Sequence, residues 1–190
     1  MFGIFQRRIG PQAFGHALSN GMIEGLEPSA REIFRMLDDR REDWFQLEEQ
    51  IPEMPEGLEI TEFSEYFFEE LGFGVNCVDR ILNATIGAQR KGNYLEELVD
   101  ALQLELTKRS KQFGFKGLFF RDLVVRRQAF YATLQFPEAN QNLKGTLFWE
   151  YGKQTSLRCA VCNPIAVTEV AVRGMFVFKC LTKIIKGYKF

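Results

Sequence analysis

Two cysteines in "SLRCAVCNP", residues 156–164, stand at the C-x2-C spacing of a metal knuckle. A structural zinc takes four tetrahedral ligands from Cys and His, and a tight turn carrying two of them is its usual local unit. The Asn163-Pro164 pair behind Cys162 favours such a turn, and Cys180 lies 18 residues further on. Cys77 is the last thiol and His16 the only imidazole. The set that would close a site is therefore Cys159, Cys162, Cys180 and Cys77, with His16 as the substitute for Cys77. No second C-x2-C, C-x2-H or H-x3-H supports it. If residues 155–162 form a strand, Thr155, Leu157, Cys159 and Val161 share one face and Cys162 turns to the other, a geometry that suits packing better than chelation. The expectation is packed thiols and no cofactor, with zinc as the metal to test.

Acid–base chemistry near neutrality would fall on His16, the one side chain whose ordinary pKa suits it. No nucleophile motif accompanies it. Carboxylates are plentiful, and Glu62, Glu65 and Glu69 follow one another at about one helical turn. Carboxylate-bridged metal bundles add Glu-x-x-His partners, which this chain lacks, so these residues read as a solvated acidic face. The glycines of "GFG" at Gly72 and "GNY" at Gly92 lack the third glycine and the strand-to-helix setting of a phosphate loop. No catalytic residue is assigned, and binding is favoured over catalysis.

Two clusters could bind. Lys108, Arg109, Lys111, Lys116, Arg121, Arg126 and Arg127 fall within 20 residues and alternate with Phe113, Phe115, Phe119 and Phe120, the mixture that grips single-stranded nucleic acid. Against that reading stands a whole-chain pI near 6.0. Asp38, Asp39, Glu42 and Asp43 form an acidic surface suited to a basic partner protein. Beneath both lies an uneven charge distribution. Residues 1–106 hold 21 acidic and 9 basic side chains, whereas residues 107–190 hold 4 and 15, so net charges of −12 and +11 nearly cancel. Such polarity bears on partners and association. It fits opposite faces meeting inside the molecule, a basic surface for an external polyanion, or head-to-tail self-association.

The elements that would carry these residues divide at the same place. Phe14, Leu18 and Met22 suggest a helix over residues 11–25, weakened by three glycines. Ser29 and Glu32 form a capping box for a second, ending at Ile51 before Pro52. Phe63, Phe67 and Leu71 mark another, broken at "GFG". Val78, Ile81, Leu82 and Ile86 mark one more, and Asn93 with Glu96 caps the face Leu95, Leu98, Val99, Leu102 and Leu106. From about residue 113 the period changes to two. Phe130, Ala132, Leu134 and Phe136 alternate, as do Leu147, Trp149 and Tyr151, and Phe176, Phe178 and Cys180.

The predicted class is α+β. A single domain is expected over residues 1–190, its acidic helical half of about four helices over roughly 1–112, and its basic half over roughly 113–190 an antiparallel sheet of about six strands. Nineteen phenylalanines imply an aromatic core or a Phe-lined pocket. No apolar run reaches membrane-spanning length, and the basic residues of "MFGIFQRRIGPQAFG" follow the apolar ones, the reverse of a secretory signal. A cytoplasmic protein with reduced thiols is expected. Its expected function is non-catalytic binding of another macromolecule, in a regulatory, adaptor or inhibitor-like role. The alternatives are nucleic-acid binding through residues 108–127, and a small-molecule-binding protein or enzyme with a Phe-lined pocket.

Overall fold

Most described residues read as strands in the C-terminal half lie in helices, and Leu134 and Phe136 lie in neither helix nor strand. The computed structural model describes residues 8–39, 63–109, 120–137, 143–158 and 164–190. Six helices occupy them: α1 (Pro11–Asp39), α2 (Phe63–Ile86), α3 (Ala88–Lys108), α4 (Phe120–Ala132), α5 (Leu147–Arg158) and α6 (Pro164–Lys186). Among these residues the β contribution is one isolated parallel bridge between Arg8 and Lys189. The expected antiparallel sheet, and with it the α+β class, is overturned. The described protein is all-α.

The physical reason is visible in α6. Its buried residues, Val167, Val170, Ala171, Gly174, Val177, Leu181 and Ile185, recur at three- and four-residue steps, and Pro164 opens the helix where its missing N–H costs nothing. Phe176, Phe178 and Cys180, which alternate in the sequence, point to different sides of the helix: Phe176 is exposed, whereas Phe178 is half-buried against Phe136 and Phe148. A helix that is apolar around much of its circumference contains alternating pairs by coincidence, and β-branched and aromatic side chains made them look like strands. In α5, Leu147, Tyr151 and Thr155 are buried at four-residue steps.

In the N-terminal half the described residues are helical as expected, but helices read as separate run together. One helix, α1, runs unbroken through Pro28, so Ser29 is no cap; its hydroxyl donates to the Leu26 carbonyl at 3.2 Å. The remainder of the second expected helix, residues 40–51, lies outside the described residues. Likewise α2 passes straight through "GFG", merging two expected helices, and Gly74 admits the Met22 side chain, whose Cε would lie 2.7 Å from an added Cβ. The Asn93–Glu96 box sits inside α3, which starts earlier, after Gly87. That glycine turns the chain at φ 81, a conformation open to glycine, and its carbonyl accepts from the amides of Arg90 and Lys91.

The central element is α2, which touches all five other helices. Every residue from Tyr66 to Val78 is buried. Around it, α1 packs tightly on α3 and α5 on α6. A Cβ at Gly15 would lie 2.6 Å from the Glu97 carbonyl oxygen, and one at Gly152 would collide with the Val167 carbonyl. Both glycines are therefore dictated by close backbone approach. The last described residues return to the start of α1. The Ile9 amide donates to the Lys189 carbonyl at 2.9 Å, and Phe14 meets the rings of Tyr94, Tyr188 and Phe190 edge-on at 5.6, 5.9 and 5.7 Å. No helix among the described residues is long and apolar enough to cross a membrane.

Candidate functional site

Two adjacent carboxylates, Glu69 and Glu70, are buried in the middle of α2. Successive helical residues point about 100° apart, so the two reach different neighbours. Glu69 faces α4, where Arg127 Nε lies 2.8 Å from Oε1 and 3.0 Å from Oε2, and the Tyr131 hydroxyl donates to Oε1 at 2.9 Å. Glu70 faces α6, where Arg173 donates from Nε and Nη2 to the single oxygen Oε1, at 3.0 and 2.6 Å. Its Oε2 is buried with no hydrogen-bond partner among the described residues.

That one-sided pairing has an electrostatic consequence. Burial pushes Glu70 up to about 7, against the opposing pull of the Arg173 charge and its hydrogen bonds. Burial works against the charge on Arg173 too, but the charge and hydrogen bond of Glu70, with Tyr66 and Tyr151, together outweigh it and raise the guanidinium above its ordinary value. Burial, and then Glu69 close by, raise the Tyr131 phenol well above its usual range. The Tyr151 hydroxyl, also buried, has no hydrogen bond among the described residues.

Arg173 opens onto a groove. Its Nη2 also donates to the Ser29 hydroxyl at 2.8 Å and to the Leu26 carbonyl at 3.3 Å, fastening α6 to α1. From that polar end a cavity of about 200 Å³ runs between the two helices toward Leu18 and Ile184, over Gly21 and Gly25 and between Met22 and Leu181. Cys180 lies on its wall. On the outer face of α6, away from α2, Ile165, Val172 and Phe176 are 59, 54 and 65 % exposed. Lys179, Lys183 and Lys186 continue along the same side, all exposed.

The residues singled out in the sequence scatter. Cys77 is buried in α2, and burial drives its thiol pKa far upward; Cys180 is half-buried in α6. Cys159 and Cys162 lie outside the described residues, and among those described no group of three or more His, Cys, Asp or Glu could hold a metal. His16 is exposed on α1. Within the polyanion cluster, Lys108 pairs with Glu105 at 2.7 Å, Arg109 with Glu24 at 3.5 Å, Arg121 with Asp100 and Glu96, and Arg127 with Glu69. Arg126 is exposed, and Lys111 and Lys116 lie outside the described residues. Asp38 and Asp39 end α1; Glu42 and Asp43 lie outside.

The buried acid pair was missed because Glu69 read as part of a solvated face and Glu70 was given no role. The signal was present: Tyr66, Phe67, Phe68, Leu71, Phe73 and Val75 surround them on all sides of the helix, and a helix apolar all round is buried. No protein-family model, curated protein or solved structure matches the chain.

Proposed function

We propose that the protein is a helical binding module that docks an acidic amphipathic helix of a partner protein on the outer face of α6. The observation that supports this is the exposed line Ile165, Val172 and Phe176, at steps of seven and four residues, continued by Lys179 and Lys183. Large apolar side chains exposed along one helical line are the mark of an interaction surface, and this spacing suits helix-against-helix anchors. Lys179, Lys183, Lys186 and Lys189 have no ion pair among the described residues, so their charge is available to an acidic partner.

The nucleic-acid reading draws less support. Four of its cations, Lys108, Arg109, Arg121 and Arg127, face carboxylates of the chain itself. A heptad-patterned peptide with Leu at the seam and Glu elsewhere is the direct test, read by fluorescence anisotropy. Saturable binding is expected, weakened about tenfold or more by Val172→Glu and by Lys183→Glu. Binding of RNA or anionic vesicles without binding of the peptide would overturn the proposal, as would equal peptide affinity in both variants.

A further inference from the structure

We infer that the groove between α1 and α6 is a binding site for a short apolar carboxylate, with Arg173 receiving the head group beside Ser29 and the channel over Gly21 and Gly25 receiving the tail. Gly15 and Gly152 are explained by backbones that touch them. Gly21 and Gly25 are not, because a Cβ at either would meet no atom within 4 Å. Glycine inside a helix costs about 1 kcal/mol relative to alanine, so both positions weaken α1 without relieving a clash. Their effect is to leave an open channel where two helices would otherwise close on each other.

The channel is chemically two-ended. The helices run antiparallel past each other, so Leu18 and Ile184 mark the apolar end, while the Ser29–Arg173 hydrogen bond marks the polar one. The Arg173 side chain is only 10 % exposed. Its Nε and Nη2 are committed to Glu70, Ser29 and the Leu26 carbonyl, and its Nη1 makes no hydrogen bond among the described residues. A guanidinium with a spare donor at the end of an apolar channel selects a planar anion. Glu70 does not forbid that anion, because its burial holds it near half-protonation at neutrality, where one proton relieves the repulsion between two carboxylates.

Size narrows the class. A cavity of roughly 150 Å³ accommodates benzene, so about 200 Å³ accommodates a chain of about eight non-hydrogen atoms. Octanoate, with ten, has the matching head group and fills the channel with about two carbons to spare, which leave past Phe176 and Ile184.

Calorimetric titration of the full chain with octanoate and with 1-octanol tests the assignment. One-to-one binding of octanoate with a Kd below about 1 mM is expected, with octanol weaker by about tenfold or more. Gly25→Leu fills the channel while adding a better helix former, so it should abolish binding without lowering the melting temperature. Alkylation of Cys180, followed peptide by peptide, should slow with octanoate in the wild type and stay unchanged in Gly25→Leu. Phe176 borders both surfaces, but Val172 does not line the groove, so Val172→Glu should bind octanoate normally whether or not the peptide proposal holds. Equal affinity for octanol, absence of saturation, wild-type binding by Gly25→Leu, or binding that leaves Cys180 unprotected would each overturn the inference.

Discussion

Glu70 places a carboxylate where water cannot reach it and gives only one of its oxygens a partner. The linkage to stability has a definite sign. A group whose folded pKa is raised stabilises the fold fully below its unfolded value, and that contribution fades as pH climbs to the folded value. For Glu70 the window runs from about pH 4.5 to about pH 7. Thermal melts should show the wild type losing stability relative to Glu70→Gln between pH 5 and pH 8, by on the order of 3 kcal/mol at most. Parallel pH profiles for the two proteins would contradict this. At this scale the sequence was only partly readable. Phe14, Leu18, Met22, Leu98 and Leu102 announced their burial by spacing, whereas Glu69 and Glu70 required partners, Arg127 and Arg173, that stand 58 and 103 residues away. No local pattern encodes such pairings.

At the scale of elements, the reading succeeded where a single apolar stripe alternated with polar residues, as in α3, and failed where apolar residues surrounded the helix, as in α6. There the stretch "GMFVFKC" satisfies a period of two as well as a helical one. Contacts along the whole of α6 select the helix, with Val177 and Leu181 inward and Phe176 outward. The candidate site suffered for the same reason, because the groove needs α6 to be a helix lying along α1. Glycine positions offer a test of the packing. Gly152→Ala should overpack the α5–α6 contact and cost about 1–3 kcal/mol, a fall of roughly 2–12 °C for a chain of this size. Gly25→Ala should raise the melting temperature, since its Cβ enters open space and the unfolded chain loses freedom. Circular-dichroism melts of the two variants should move in opposite directions; shifts of the same sign would contradict the assignment of the two glycines.

At the scale of the whole molecule, the charge asymmetry finds an internal outlet. Glu24–Arg109, Asp100–Arg121, Glu69–Arg127 and Glu70–Arg173 each join the acidic first half to the basic second half. These pairs are unequal in energy. The exposed contacts of Arg121 are worth little, whereas removing Arg127 strands a buried carboxylate. Arg127→Met should therefore cost about 3–5 kcal/mol and Arg121→Met less than about 1 kcal/mol in denaturant unfolding. Equal losses would mean that the cross-half pairs act as a diffuse field instead of as two buried fastenings.

The clasp of Tyr188 and Phe190 on Phe14 carries a consequence for biosynthesis. A growing chain emerges in order, and α1 leaves the ribosome well before the rings of Tyr188 and Phe190 that seal its N-terminal turn, which come some 175 residues later. Until they emerge, Phe14 lacks those two rings and has Tyr94 of α3 as its edge-on partner. Until Tyr188 and Phe190 dock, that edge of the nascent protein is a sticky surface within reach of a chaperone.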